Sequence, residues 1–175
     1  VENDNTRVNM ITIGTIAAVL LLMFRSISFP IVLLLTIQTS VWINLAIPYF
    51  TETPLVYVGY LIISIVQLAV TIDYAILFSD EYMNHRKKMG AMDAIKKTIN
   101  EKTFSIAVPA SILTSVGFIL SWTSSDPIIS SIGNLLGRGT LLAFTLVILF
   151  LPALLVTFDY VIEKTTWRPN FYKRK

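Results

Sequence analysis

The sequence has no cysteine, so disulfide frameworks and thiol chemistry are excluded. It has one histidine, His85, set among basic residues, which speaks against a metal site built on imidazole. Charge is scarce: 14% of residues are Asp, Glu, Lys or Arg, against about 25% in an ordinary soluble domain. The few charges cluster between long apolar runs. No phosphate-cradling glycine loop, nucleophile–base set or metal-ligand cluster is present, so neither an enzyme nor a cofactor or metal is expected. The basic residues lack an aromatic stacking platform, so the net charge of +3 does not read as nucleic-acid binding.

What is abundant is apolar sequence. Hydrophobic residues make up 54% of the 175, and the mean hydropathy is +0.69. That composition predicts an all-α, polytopic transmembrane helix bundle, because lone strands cannot satisfy their backbone in lipid. Five spans are predicted, at about 8–24, 29–47, 54–78, 103–122 and 135–158. Residues 1–7 form a polar lead-in, and 159–175 a basic tail. The chain begins at Val1 with a polar stretch and shows no signal peptide there, which raises the expectation of a fragment of a longer protein. No internal repeat is visible, and no signal specifies an oligomeric state.

Lys and Arg set the expected orientation. With five spans, 12 of the 14 basic residues fall on one side: Arg25; Arg86, Lys87, Lys88, Lys96, Lys97 and Lys102; and Lys164, Arg168, Lys173, Arg174 and Lys175. Only Arg7, and Arg138 near the mouth of the fifth span, remain. The N-terminus is therefore expected outside and the C-terminus in the cytoplasm. Loop 79–102 would then be cytoplasmic. Its Met92, Ile95 and Ile99 recur at helical spacing beside Lys96 and Lys97, which fits an amphipathic helix on the inner leaflet and equally a solvated connecting helix. The tail "WRPNFYKRK" mixes aromatic and basic residues, a composition suited to anionic head groups of membrane lipids. The segments "PYFTETP" and "TSSDPIISS" read as short polar turns.

The third span contains an anomaly. Asp73 sits in "AVTIDYAILF", where a charged acid costs roughly 3 kcal/mol on insertion scales. Such groups usually face a bundle interior, a partner or a water path. Burial also raises a carboxyl pKa, which suits a proton relay. The other reading is a structural acid held by its neighbours. Tyr74 adjoins it and both donates and accepts hydrogen bonds. Ser64, Gln67, Thr71 and Tyr74 form one polar stripe, while Asp73 lies about 100° away from Tyr74. In the fourth span, Thr103, Ala107, Ala110, Thr114, Gly117 and Ser121 make a face of small residues suited to close helix contact. Ser111 and Ser115 widen the polar part of that face, and Pro109 permits a bend. Thr114 and Ser115 are the candidate hydrogen-bond partners of Asp73. Gly133 and Gly137 form a GxxxG pattern read as packing, and Gln38 and Asn44 read as a polar seam or as interhelical glue.

The pieces "FRSISFPIVLLL" at 24–35, "TIDYAILFSDEY" at 71–82, "IAVPASILTSVGFILS" at 106–121 and "LPALL" at 151–155 resemble the membrane half of an RND-superfamily permease of the MMPL type. The resemblance covers about residues 4–163. It implies a five-helix block from one half of a twelve-span permease, here the second half, whose partner would be the remaining half with its porter domains. It also implies that Asp73 and Tyr74 are a proton-relay pair and that the substrate is a lipid, fatty acid, glycolipid or hydrophobic drug. The "SDEY" at 79–82 departs from the pattern, since many members carry a basic residue there. The helix order also resembles a sterol-sensing regulatory module, in which Asp73 would only hold structure, and less closely a SecDF-type translocation auxiliary.

Overall fold

The computed structural model describes the backbone of residues 2–24, 26–51 and 57–165, with side chains over 10–24, 26–51 and 59–165. Arg25, Glu52, the side chain of Arg7 and the tail 167–175 lie outside these described residues. Six helices follow in order: α1 (Glu2–Phe24), α2 (Ser28–Phe50), α3 (Tyr57–Arg86), α4 (Ala91–Thr123), α5 (Pro127–Thr157) and α6 (Asp159–Thr165). By length and composition, four of them can cross a membrane: α2, α3 from Gly59, α4 and α5. The apolar part of α1, Met10–Phe24, is shorter. The all-α bundle expected from composition is what forms, and five spans approximate it.

The helices are longer than their apolar stretches. At about 1.5 Å per residue, α4 is roughly 50 Å long, against a hydrocarbon core of roughly 30 Å. The stretch 91–102 is thus the first part of α4, continuous with the span at 103–122, and 79–86 completes α3. Only Lys87–Gly90 turns between them. Met92 is exposed, whereas Ile95 is buried and Ile99 packs on the core, so the apolar face of this stretch covers the bundle's own end. At the other end the turn contracts to Ser124–Asp126. Asp126 caps α5, its Oδ1 accepting from Ile128 N (2.8 Å), and Pro127 follows at the first helical position. There proline starts a helix, because the missing N–H has no intrahelical partner to lose.

The core is organised around α5, which packs on α2, α3, α4 and α6, while α1 packs on α2. Ala143, Val147, Leu151 and Leu155, four apart, are fully buried and meet Phe29, Leu33 and Ile37 of α2 and Ala75 and Phe78 of α3 in one cluster. Pro109 and Pro152 sit inside α4 and α5 without ending either helix. The outer surface is apolar: Phe104, Ile112, Val116 and Ile119 of α4 all face outward. A water-soluble surface rarely carries so continuous an apolar patch; lipid is the solvent it fits. Tyr49, Phe50 and Trp122, each about four-fifths exposed, mark the end of the bundle nearest Asp126, as interfacial aromatics do.

The tightest contact is between α4 and α5. A Cβ on Gly117 would lie 2.5 Å from Gly137 N and 2.9 Å from Gly133 O, and one on Gly133 would lie 2.7 Å from both Gly117 O and Ser121 N. The three glycines let the two backbones touch. The small-residue face of the fourth span and the GxxxG pattern are therefore the two sides of one intramolecular seam.

Candidate functional site

Asp73 lies partway along α3, roughly 24 Å from Tyr57 and 20 Å from Arg86 at about 1.5 Å per residue. It belongs to an exposed stripe, Ile62, Ile65, Ala69, Asp73, Leu77, Asp80 and Asn84, whose spacing of three and four marks one helix face. The opposite face turns inward. Gln67 and Thr71 are buried, and Ser64 and Thr71 spend their hydroxyls on their own helix, at Tyr60 O and Gln67 O (2.7 Å each). Tyr74 is 7% exposed and belongs to the core cluster. The 100° step between adjacent residues thus places the phenol inside this bundle and the carboxyl on its open surface.

No hydrogen bond among the described residues joins Asp73 to Thr114 or Ser115. Thr114 lies at the α4–α5 seam, its carbonyl 3.1 Å from a Cβ built on Gly137, and its Oγ1 is buried without a partner. Ser115 and Ser111 are exposed. Ser79, about one and two-thirds turns beyond Asp73, also has a buried hydroxyl with no partner among the described residues.

Two polar networks tie the helices together, and the sequence named only some of their members. The first joins α2, α3 and α5. Asn44 Nδ2 donates to Gln67 Oε1 (2.7 Å) and to Leu135 O (3.0 Å), and Gln67 Nε2 donates to Ser40 O (3.0 Å). Arg138 closes it, Nε donating to Asn44 Oδ1 (2.9 Å) and Nη2 to Asn44 O (3.2 Å). Gly139 makes room, since a Cβ there would lie 2.6 Å from Asn44 Nδ2. Asn44, read as seam or glue, is the hub. The signal available in the sequence was an uncompensated arginine in an apolar run together with two carboxamides.

The second network lies at the Arg86 end. Arg86 donates Nε and Nη2 to the two oxygens of Asp159 (2.9 and 2.7 Å), and Tyr82 Oη donates to Asp159 Oδ1 (2.8 Å). This fork ties α3 to α6, while Thr165 Oγ1 donates to Ser28 Oγ (2.9 Å) and ties α6 to α2. Beside it, His85 Nε2 lies 2.8 Å from Glu101 Oε2 and 3.5 Å from Glu81 Oε1. The ligand-capable atoms of these three residues fall within 4.8 Å of one another, a separation one cation can bridge. Lys102 Nζ, however, sits 2.8 Å from Glu81, and Lys97 Nζ 3.9 Å from Glu101. Both carboxylates are already countered, and the group is an ion-pair cluster joining α3 to α4. The unusual "SDEY" thereby gains a structural role, with Glu81 bound to α4 and Tyr82 to α6.

A bundle of long apolar helices with apolar outer surfaces has the make-up of a polytopic membrane protein. The sequence model of the MMPL family matches residues 1–170, and the chain belongs to that family. It is thus a membrane transporter module of the MMPL type. No curated protein and no solved structure matches it.

Proposed function

We propose that this chain is the membrane half of a proton-driven exporter of lipids, fatty acids or hydrophobic drugs, in which Asp73 takes up and releases the coupling proton and Tyr74 shapes its hydrogen bonding. One observation carries the reading: the Asp73 carboxyl stands on the open face of α3, with no hydrogen bond from the described residues to hold it. A structural acid needs such partners, because an unpaired polar group in lipid costs several kcal/mol. An exchanging acid needs access instead, to water or to a group from the remaining half of the permease. Thr114 Oγ1 and the exposed Ser115 are α4 hydroxyls that bond to no other described residue, and we assign them a supporting part in the relay. In this reading the Arg86 end faces the cytoplasm and the N-terminus the outside, an orientation supported by the excess of basic residues at that end.

The test is substrate efflux from proteoliposomes under an imposed pH gradient, using the full-length protein. Asp73→Asn keeps size and hydrogen bonding but cannot titrate, and it should abolish export from protein that remains folded and inserted. Tyr74→Phe should impair export less. Proton-dependent efflux near the wild-type rate from Asp73→Asn would refute the relay and favour the sensing-module reading.

A further inference from the structure

Arg138 is an ionised group for which the export reading has no use. It is half-buried, and it donates to the side-chain and backbone oxygens of one neutral residue, Asn44. Among the described residues no carboxylate pairs with it; the ion pairs all lie at the other end of the bundle, around Glu81, His85, Arg86 and Glu101. Its Nη1 has no partner there either. The residue sits roughly 28 Å along α5 from Thr157 at about 1.5 Å per residue, toward the outer edge of a hydrocarbon core of roughly 30 Å, where a cation without a counter-charge is still costly. Long basic side chains relieve that cost by snorkelling toward the interface. Here the fork is instead turned sideways onto α2, by bonds to a residue that is itself fully buried.

The surface around the fork is amphipathic along the helix. Asn134 is exposed one turn before Arg138. Beyond it, Leu141 (50% exposed), Thr145 and Leu149 (68% exposed) continue the same face away from Pro127. The Thr145 hydroxyl is spent on Leu141 O (2.8 Å), which leaves that part of the face apolar. A fixed cation at one end of an apolar track on a lipid-facing helix complements an amphiphile with an acidic head and hydrocarbon tail. We propose that Arg138 anchors the head group of an anionic membrane lipid, with Nη1 and the outer edge of Nη2 donating to its phosphate and the lipid's chains running along Leu141 and Leu149. The Asn44–Gln67–Ser40 network fixes the guanidinium in place beforehand, so little rotamer freedom is lost when the lipid arrives. This site does not depend on the proton relay, since binding needs neither Asp73 nor a gradient.

The test uses full-length protein reconstituted with equal amounts of phosphatidylglycerol and phosphatidylcholine, then released gently and weighed with its bound lipid by native mass spectrometry. The wild type should retain the anionic lipid over the zwitterionic one by about tenfold, as expected for one charge-assisted contact. Arg138→Gln should reduce the preference to near unity. Because that change also touches Asn44, a second variant leaves the network intact. Asn134→Asp places a carboxylate one turn before the guanidinium, a spacing at which such pairs form, and it should likewise abolish the preference with the melting temperature unchanged. A wild type that retains both lipids equally would overturn the proposal. So would an undiminished preference in either variant, or inorganic phosphate displacing the anionic lipid at equal charge, which would make the site one for a free anion.

Discussion

Replacing Asp159 by alanine should markedly loosen the Arg86 end of the bundle. The side chains of Arg86 and Asp159 are 8% and 14% exposed, so both charges are largely out of water. Asp159 accepts two bonds from the guanidinium and a third from Tyr82. Removing it takes the counter-charge from a buried cation, which still donates to the Met89 carbonyl (3.1 Å). Breaking one side of a buried pair costs about 3–5 kcal/mol. For a chain of this size each kcal/mol shifts the midpoint by roughly 2–4 °C, so Asp159→Ala should melt about 6–20 °C lower. The assay is thermal unfolding in detergent, followed by tryptophan fluorescence. Arg86→Met should be similarly harmful. The double variant Arg86→Met, Asp159→Leu should recover much of the loss, because no unpaired charge then remains. A midpoint within about 2 °C of wild type for Asp159→Ala, less than 1 kcal/mol on the same scale, would refute the reasoning, since the fork would then be no stronger than an exposed pair.

Gly117→Val should lower the unfolding midpoint clearly, because the first added carbon already falls 2.5–2.9 Å from backbone atoms of Gly137 and Gly133; overpacking of this kind costs roughly 1–3 kcal/mol, and an unchanged midpoint would show that the α4–α5 seam is looser than described. Orientation is checked by single cysteines in intact cells. Those at Glu52 and Asp126 should react with an impermeant thiol reagent and one at Lys97 should not, whereas labelling of position 97 alone would invert the topology.

Much of the architecture was legible in the sequence because lipid imposes one dominant constraint. Every backbone group in a span must be bonded within its own helix, so runs of about 20 apolar residues translate almost directly into helices. The small-residue face of α4 was legible for a similar reason: glycine and alanine at spacings of three and four have one main use between membrane helices. The ends of the helices were harder to read. Hydropathy reports where a helix enters lipid, and α4 continues over 91–102 because Ala94, Ile95 and Thr98 are buried against the bundle outside the apolar stretch. Asp126 and Pro127 look like a stop in the sequence, but the same pair starts α5.

By itself, the sequence determined that this is an all-helical membrane bundle, that its charge is segregated to one end, and that a carboxyl and a phenol are adjacent in its third span. Tertiary structure alone decided which way each polar group turns: Asp73 outward and Tyr74 inward, Arg138 onto Asn44, Arg86 onto Asp159. Periodicity fixes the angle between two residues on one helix, but not the rotation of that helix about its own axis. That rotation is set by contacts between residues far apart in the chain, such as Gly117 with Gly137 or Asn44 with Gln67, and those contacts exist only once the helices have packed.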